Sequence, residues 1–261
     1  MPQPEKPALD QHFMTDPELI RKIVSLAGIR KGETVLEIGA GKGTVTREIA
    51  KKAGRVIAVE IDPGLEKSLA GLKLPNAEIK TQNALDFLDG LDCRNPGFQR
   101  IVSNTPYSIC EALVRRLIRF SFRKGVFAFP KSFAYRLIEK GEKRTRLSFV
   151  AQEFFRIEIK EEIPKAAFSP APHTTSVLVV LTPRRKKSLA AALLLREKML
   201  LKNALREVAC GGFFGGKPTK REAKKRIKSL KINSLLLEKK VADLKEKEFK
   251  QVGTILKRIR F

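Results

Sequence analysis

The chain has 261 residues, of which 43% are hydrophobic, and a formal net charge of +25 at pH 7. This length suits one full α/β domain with a small appendage, and the charge exceeds what a protein acting only on small molecules needs. No uninterrupted apolar stretch approaches the length of a membrane span, so we expect no membrane-spanning segment.

The first ten residues and the cysteines indicate the cellular setting. Residues 1–10 contain three prolines and few apolar residues, which predicts a disordered tail, and they lack the apolar core of a secretory signal. Cys93, Cys110 and Cys210 have no paired spacing, and only His12 and His173 could join them in a metal site. We therefore expect a reduced, cytoplasmic protein with no disulfide and no metal.

Residues 11–182 alternate between strand-like and helix-like segments. The strand-like segments are Thr34–Gly39, Arg55–Glu60, Ala77–Thr81, Gln99–Asn104, Phe154–Ile163 and Ser176–Leu181. The helix-like segments are Pro17–Leu26, Thr44–Lys52, Pro63–Leu72 and Ile109–Phe120. This alternation predicts an α/β fold with a doubly wound parallel sheet and helices on both faces.

A glycine-rich turn follows the first of these strands. Gly39, Gly41 and Gly43 alternate with other residues, which lets the backbone turn tightly and approach a ligand closely. The spacing differs from the dinucleotide fingerprint and lacks a phosphate-binding Lys-Ser/Thr pair, so a nucleoside without phosphates fits better. Glu60 ends the next strand, where its carboxylate can accept from both ribose hydroxyls. The alternatives are a plain tight turn and a solvated strand end.

A second loop, Asn104–Tyr107, follows the fourth strand. The side-chain oxygen of Asn104 and a following carbonyl can accept both hydrogens of an adenine N6 amine and draw its nitrogen toward tetrahedral geometry. Pro106 stiffens the turn, and Tyr107 can stack on the base. The same tetrapeptide also occurs as an ordinary turn.

The last 78 residues, Arg184–Phe261, hold 24 lysines and arginines against 7 acids. Helical periodicity over Ser188–Ala209 and Glu246–Ile259, interrupted at Gly211–Gly216, predicts a small helical bundle. The residues expected in its core are Leu200, Leu205, Val208, Leu235 and Leu236. The runs Arg184–Lys187 and Lys217–Lys228 could neutralise nucleic-acid phosphates, with a membrane surface as the alternative partner.

Taken in order, these motifs resemble the small-subunit ribosomal RNA adenine N6,N6-dimethyltransferases, which use S-adenosylmethionine. The segments that carry the resemblance are Gln11–Met14, Glu37–Gly43, Glu60–Ile61, Asn83–Leu85, Asn104–Tyr107, Arg146–Ser148 and Phe168–Pro172, ending at Ser176. The resemblance implies a Rossmann-like methyltransferase domain over residues 11–184 and a basic helical RNA-binding domain over residues 185–261.

The resemblance also implies which residues form the site. The expected cofactor-binding residues are Gln11, His12, Gly39, Gly41, Gly43, Glu60, Ile61, Asn83, Ala84 and Asn104. The expected catalytic set is Asn104, Pro106, Tyr107 and Phe168, with Tyr107 and Phe168 clamping a flipped adenine. Phe168 lies in a Pro-punctuated loop, and packing beneath that loop is the alternative.

The chain departs from the family pattern at several positions. Asn83 stands where the family usually has Asp, although its side-chain oxygen can still accept from the adenine amine of the cofactor. Thr105 replaces Leu or Ile, Thr145 replaces Gly, and His173–Thr175 replace Lys-Val-Asp. These changes leave the proposed methyl-transfer centre in place.

The function implied is dimethylation of two adjacent adenines near the 3′ end of small-subunit ribosomal RNA, during ribosome biogenesis. The expected partners are ribosomal RNA and a small ribosomal subunit precursor, and the protein is expected to be a monomer. The residues alone support only methylation of an adenine amine in a nucleic acid. A large-subunit RNA methyltransferase of the antibiotic-resistance type, a DNA adenine methyltransferase and a non-catalytic ribosome-assembly factor remain as alternatives.

Overall fold

A computed structural model describes residues 11–184, 188–211, 213, 218–230 and 232–256. The predicted disordered tail, residues 1–10, lies outside the described residues, as do residues 185–187 and 217 of the two basic runs. The chain divides into two compact units, residues 1–183 and residues 184–261. Each unit is built on its own set of elements.

Residues 11–183, the described part of the first unit, contain nine strands. They are β1 (Phe13–Met14), β2 (Thr34–Ile38), β3 (Arg55–Glu60), β4 (Ala77–Thr81), β5 (Arg100–Asn104), β6 (Lys124–Pro130), β7 (Phe155–Ile163), β8 (Phe168–Ser169) and β9 (Ser176–Pro183). Seven strands form one sheet in the order β4-β3-β2-β5-β6-β9-β7, while β1 and β8 pair separately and antiparallel. Strands β2 to β6 are parallel, and β9 runs antiparallel to both β6 and β7. The predicted α/β, doubly wound fold is confirmed.

Seven α-helices accompany these strands in the described part of the first unit. They are α1 (Pro17–Ala27), α2 (Thr44–Ala50), α3 (Glu66–Ala70), α4 (Ala84–Asp89), α5 (Cys110–Leu117), α6 (Lys131–Ile138) and α7 (Arg146–Phe154). Helices α1 and α2 contact each other, and α5 contacts both α4 and α7, so the helices form two groups. Strand β6 and helices α6 and α7 were not predicted from the sequence. In the case of β6, a short apolar run fits a strand or a buried helix equally well.

Both faces of the central strands β2, β3 and β5 are buried, and the side chains alternate between the two faces. Val35 of β2 and Val56 of β3 belong to the core beneath α1 and α2, whereas the next residues, Leu36 and Ile57, point to the opposite face. Val35, Val56 and Leu36 are all completely buried. Continuous apolar strands are therefore required in the centre of the sheet, which is why β2, β3 and β5 were recognisable from the sequence.

Local signals explain where the helices begin and end. The side chain of Asp16 accepts from the backbone N–H groups of Glu18 and Leu19, and Gly28 ends α1 in the left-handed conformation with φ 60°. Thr145 likewise accepts from the Ser148 N–H at the start of α7. The departure from the family's Gly at position 145 therefore supplies a helix cap.

The amino ends of the strands are held by a buried ion pair. Arg100 at the start of β5 donates to Glu33 through Nε over 2.8 Å and to the Ala27 carbonyl, at the end of α1, through Nη1 over 2.9 Å. Arg123 donates to the same carboxylate over 2.9 Å. Breaking a buried pair on one side is strongly destabilising, so this edge of the sheet serves stability.

The second unit is helical where it is described. Its α-helices are α8 (Leu189–Leu194), α9 (Leu201–Cys210), α10 (Lys220–Ser229), α11 (Ser234–Leu237) and α12 (Glu246–Leu256). The expected continuous helix over 188–209 is interrupted, because Leu201 N–H donates to the Lys239 carbonyl and Val241 N–H donates to the Met199 carbonyl. These backbone bonds replace helical ones between α8 and α9.

The apolar residues expected in the core of this unit divide into two groups. Leu205, Val208 and Leu236 are buried, as predicted. Leu200 is partly buried, and Leu235 is 77% exposed, so its assignment to the core was wrong. Leu235 is the second residue of α11, whose start is capped by the side chain of Asn233, and it is the neighbouring Leu236 that is buried.

Candidate active site

A cavity opens at the carboxyl ends of β2, β3 and β5. In open α/β sheets, ligands bind at this edge, where the strand order reverses. Here the reversal lies at β2, which pairs with β3 on one side and β5 on the other. The lining residues are Gln11, His12, Phe13, Ile38, Gly39, Gly41, Val59, Glu60, Ile61, Asn83, Ala84, Asn104, Thr105, Pro106, Tyr107, Ser108 and Ile109.

The cavity brings together most of the residues singled out in the sequence. Nine of the ten expected cofactor-binding residues line it, and so do Asn104, Pro106 and Tyr107 of the expected catalytic set. Gly43 and Phe168 do not line it. The sequence analysis missed Phe13, Ile38 and Val59, among others, although each is the immediate neighbour of a predicted residue.

The carboxylate of Glu60 accepts three backbone hydrogen bonds in the wall of the cavity. Glu60 is 6% exposed, and its Oε2 accepts from the Gly41 N–H over 2.7 Å. Its Oε1 accepts from the N–H groups of Ile61 and Asp62, each over 3.0 Å. A carboxylate offers about four acceptor positions, so about one remains for a ligand hydroxyl. The alternative of a solvated strand end does not fit this burial.

Two of the predicted glycines are required by close approaches in the cavity wall. Gly39 has φ 75°, and a Cβ there would lie 3.1 Å from the Asn104 carbonyl oxygen. Gly41 has φ 56°, and its Cβ would lie 2.8 Å from the Phe13 ring. A side chain at either position would therefore be strained and would displace a neighbouring part of the cavity.

Gly43 serves packing instead of the cavity. It precedes α2 with φ 78°, and a Cβ there would lie 2.3 Å from Leu72 and 3.0 Å from Leu69. The glycine is thus needed for the close approach of α2 to the segment after α3. Its spacing from Gly41 in the sequence cannot distinguish this reason from ligand binding.

The side-chain amide of Asn104 has a fixed orientation. Its Nδ2 donates to the His12 carbonyl oxygen over 2.7 Å. Because a carbonyl oxygen can only accept, the NH₂ end must face His12, and Oδ1 is left as the acceptor for another group. Asn104 is partly buried at the end of β5, so this acceptor sits where the cavity is lined by the following loop.

The N-terminal strap (Gln11–Thr15) forms one side of the cavity. Gln11 donates to Asp62 over 3.1 Å, and the Thr15 N–H donates to the Ala167 carbonyl over 2.9 Å. Thr44 donates to the carbonyl of Met14, whose backbone pairs with Phe168 of β8. The strap is therefore held by contacts with three separate parts of the first unit, namely Asp62, Thr44 and the segment Ala167–Phe168.

Tyr107 is positioned by contacts of its hydroxyl group and of its ring. Its hydroxyl is hydrogen-bonded to the buried hydroxyl of Ser176, at the start of β9. Its ring lies 5.7 Å from the His12 ring, centroid to centroid, at an angle of 38°. The His12 ring is held in turn by a hydrogen bond from Nδ1 to the Pro170 carbonyl over 2.9 Å. The aromatic wall of the cavity is thus pre-organised.

Thr105 stands where the family usually has Leu or Ile, and its buried hydroxyl is hydrogen-bonded to the hydroxyl of Ser103. The Ser103 hydroxyl donates to the Ile38 carbonyl over 2.8 Å, so its oxygen must accept from the Thr105 hydroxyl, also over 2.8 Å. Both side chains are buried. The pair connects the ends of β2 and β5, which are the strands that carry the glycine turn and Asn104.

The ring of Phe168 lies in the hydrophobic core and not at the cavity. Phe168 is 5% exposed and belongs to the same core cluster as Met14 and Ile163. Its backbone pairs with Met14 across the two-stranded sheet. A base clamp formed by Phe168 would require this ring to leave the core, whereas packing beneath the loop describes its position here.

Asn83 uses its side chain to begin a helix. Its Oδ1 accepts from the Leu85 N–H over 2.7 Å at the start of α4. An amide also offers an NH₂ donor, which an aspartate at this position would lack. Asn83 therefore presents a donor as well as a partly used acceptor to the cavity.

A buried carboxyl group lies in β2 beneath the glycine turn. Glu37 is 1% exposed, and among the described residues its Oε2 has no hydrogen-bond partner. Burial raises the pKa of Glu37 to about 8, and the nearby carboxylate of Glu60 acts in the same direction. Burial therefore favours the neutral form of the Glu37 carboxyl group near neutral pH.

The described part of the chain has neither a membrane-spanning helix nor a group of metal-ligating side chains. None of its helices is long and apolar enough to cross a membrane. Within the same residues, no three His, Cys, Asp or Glu side chains come together in a way that could hold a metal ion.

Comparison with known proteins was made for both sequence and structure. Residues 3–212 match the family described as ribosomal RNA adenine dimethylase. The probable ribosomal RNA small subunit methyltransferase A of Methanosarcina acetivorans is 37% identical over 181 residues, which cover 67% of this chain and 64% of that protein. The ribosomal RNA small subunit methyltransferase A of Thermotoga neapolitana is 35% identical over 178 residues, covering 67% and 66%. The chain thus matches a little under two thirds of these relatives' length.

Two solved structures resemble the fold over most of the chain. A dimethyladenosine transferase from Plasmodium falciparum has a TM-score of 0.63 at 23% identity, covering 92% of this chain and 96% of that one. The 23S rRNA methyltransferase ErmE has a TM-score of 0.62 at 24% identity, covering 94% and 99%. These similarities show a Rossmann-like methyltransferase fold. With the sequence match over residues 3–212, they lead to one conclusion: the chain belongs to the ribosomal RNA adenine dimethylase family.

Proposed function

We propose that this chain is an S-adenosylmethionine-dependent ribosomal RNA adenine N6-methyltransferase. Its proposed substrate is a pair of adjacent adenines near the 3′ end of small-subunit ribosomal RNA, in free RNA or in a small-subunit precursor. The protein is proposed to act as a monomer in the cytoplasm. One observation carries the proposal: Glu60 and Asn104 line the same cavity at the carboxyl edge of the sheet. A nucleoside-binding carboxylate and an acceptor for an adenine amine are thereby brought together.

The residues present fit the cofactor. Gly39 and Gly41 leave room where any Cβ would collide with the cavity wall, so a ligand can approach their backbone closely. Glu60 keeps about one acceptor position for a ribose hydroxyl, and holding both hydroxyls would require it to share or release a backbone N–H. Ile61, which is 45% exposed, offers an apolar surface for a base. S-adenosylmethionine, when bound, supplies a methyl group activated by the positive charge of its sulfonium.

Asn104 is proposed to act on the target amine. The lone pair of an adenine N6 amine is delocalised into the ring, so the amine is a weak nucleophile. Oδ1 of Asn104 and a main-chain carbonyl of the following loop can accept its two hydrogens and favour a tetrahedral nitrogen. Such bonds strengthen as the nitrogen is methylated, so they stabilise the transition state more than the ground state. Tyr107 is proposed to stack on the base, while the hydroxyl of Ser176 holds its ring in place.

Helix α10 is the proposed RNA-binding surface of the second unit. Ala223 and Ile227 are buried, and the rest of the helix is exposed. Five basic side chains of α10 have no carboxylate partner among the described residues; they are Lys220, Arg221, Lys224, Lys225 and Lys228. These charges can replace the counterions of an RNA backbone, so affinity should fall steeply with salt.

The proposal is tested by methyl transfer to a panel of nucleic acids. Radiolabelled S-adenosylmethionine is supplied with unmodified small subunits, naked small-subunit RNA, large-subunit RNA or DNA, and the products are digested to nucleosides. We expect N6,N6-dimethyladenosine from the small-subunit substrates. Label in large-subunit RNA or DNA alone would support one of the other methyltransferases, and no transfer to any substrate, with intact cofactor binding, would support an assembly factor.

A further inference from the structure

Helix α6, outside the cavity, carries an exposed aromatic side chain, Tyr135. The chain has two tyrosines and no tryptophan. Tyr107 lines the cavity, whereas Tyr135 is 46% exposed, although Phe133 on the same helix is 5% exposed. A single exposed aromatic needs no explanation by itself, so its surroundings decide whether it has a role.

The surroundings of Tyr135 are basic. Residues 131–146 contain six lysines and arginines against two glutamates. We define the α6 patch as Tyr135, Arg136, Lys140 and Lys143, all of which are exposed. In the part of the chain that the structure describes, its three cations have no carboxylate partner. The nearby ion pair with Glu162 is made by Lys131, which is not a member of the patch. The charge of the α6 patch is therefore free to meet phosphates.

The α6 patch begins close to the candidate active site. Helix α6 follows the carboxyl end of β6, which is the neighbour of β5 and its Asn104 loop. Lys131 N–H donates to the Thr175 carbonyl over 2.8 Å, and the next residue, Ser176, binds the Tyr107 hydroxyl. Tyr135 lies one helical turn, about 6 Å, beyond that backbone bond. This is about the distance between successive nucleotides of an extended strand.

We propose that the α6 patch binds single-stranded RNA next to the target adenine, with Tyr135 stacking on a flanking base and Lys140 and Lys143 contacting phosphates. The inference rests on the proposed function, because it places the flanking RNA relative to an adenine in the cavity. An aromatic ring combined with unpaired cations fits unpaired nucleotides better than a duplex, whose bases are already stacked. A protein surface is the competing partner. In that case, Tyr135→Ala should bind RNA with wild-type affinity.

The first arm measures equilibrium binding of a short single-stranded RNA that contains two adjacent adenines. Tyr135→Ala should weaken binding about tenfold, the size expected for one stacked base, and Tyr135→Phe should bind as the wild type does because the ring is kept. The same RNA with abasic sites around the adenines should bind the wild type and Tyr135→Ala equally. The control is Leu235→Ala, which removes another exposed apolar side chain and should change nothing.

The second arm measures the salt dependence of the same binding. The double variant Lys140→Gln/Lys143→Gln should reduce the slope of log affinity against log salt by about 1.4, for two lost phosphate contacts on a single strand. Lys31→Gln/Lys52→Gln removes two exposed lysines near the amino ends of β2 and β3 and should leave the slope unchanged.

The outcomes separate this inference from the proposed function. If the wild type methylates this RNA at adenine N6 while Tyr135→Ala binds it with wild-type affinity, the α6 patch is wrong and the proposed function stands. An equal loss on intact and abasic RNA would overturn base stacking, because the contact of Tyr135 would then not depend on a base. If the wild type neither binds nor methylates RNA, both proposals fail.

Discussion

The side-chain amide of Asn104 donates a hydrogen bond to the main-chain oxygen of His12 over 2.7 Å. This bond joins residues 92 positions apart and fixes which end of the amide faces the cavity. His12 belongs to the N-terminal strap (Gln11–Thr15), which is itself held by Asp62, Thr44 and Ala167. The orientation of the proposed catalytic acceptor thus depends on the first described residues of the chain.

Disturbing the strap should therefore impair the site. In Gly41→Ala, the new Cβ would lie 2.8 Å from the Phe13 ring, so the strap must move. We expect a loss of unfolding free energy of about 1–3 kcal/mol and weaker cofactor binding, measured by thermal unfolding and calorimetry. Gly32→Ala is the matched control, because Gly32 also has positive φ but its Cβ would meet nothing within 4 Å. Equal cofactor affinity in the two variants would contradict this role of Gly41.

Glu60 should affect cofactor binding in two ways. Glu60→Ala removes the acceptor for a ribose hydroxyl and for the N–H groups of Gly41, Ile61 and Asp62. Because a hydrogen bond to a charged group contributes about 1.5–3 kcal/mol, cofactor affinity should fall at least tenfold. Calorimetry measures this, with Glu66→Ala as an exposed control nearby on α3. Wild-type affinity in a folded Glu60→Ala protein would remove Glu60 from the site.

Glu37 should make the stability of the cofactor-free protein depend on pH. Its pKa rises from 4.5 to about 8 on folding, so between these values the folded state binds one more proton than the unfolded chain. Stability should therefore fall as the pH rises from 4.5 to 8, by at most about 5 kcal/mol, and this group adds nothing further above 8.

The variant Glu37→Gln isolates that contribution, because glutamine is neutral at every pH and nearly the same size. In urea unfolding, it should be more stable than the wild type at pH 9, and the difference should shrink toward pH 5. A difference that does not vary with pH would mean that Glu37 is already ionised in the folded protein.

The hydroxyls of Ser103 and Thr105 should act as one unit. Ser103→Ala removes the donor to the Ile38 carbonyl and the acceptor for Thr105 together. Adding Thr105→Val should then cost little more, whereas alone it should cost about 1 kcal/mol. A double-mutant cycle in urea should give a coupling energy of about 1 kcal/mol. Strict additivity would show that the two hydroxyls do not interact.

The part of the site that follows directly from strand ends was predictable. Gly39, Glu60 and Asn104 each end or follow a parallel strand, and parallel strands bring such positions to one edge. Gly43 was assigned to the cofactor because spacing cannot show that the close contact is with Leu72. Phe168 was expected to contact the target adenine. Its actual pairing is with Met14, which is far away in the chain, so no local sequence signal reveals that pairing.

The second unit shows the same limit on a larger scale. The apolar periodicity of residues 188–209 is helical throughout, and no proline or glycine marks an interruption. The interruption arises because the backbone around residue 200 forms hydrogen bonds with residues 239 and 241. These partners are distant in the chain, so the local helical pattern does not reveal them. Helix α12, which depends mainly on its own periodicity, starts at Glu246 as expected, and its expected end, Ile259, lies outside the described residues.

The central claim, that Asn104 acts on the amine during methyl transfer, is tested most directly by single-turnover kinetics. Asn104→Ala is mixed with saturating cofactor and small-subunit RNA, and the nucleosides are analysed over time. At these saturating concentrations we expect a transfer rate to adenine N6 reduced at least tenfold, because the interaction strengthens in the transition state. Methylation of adenine N6 at the wild-type single-turnover rate would contradict it.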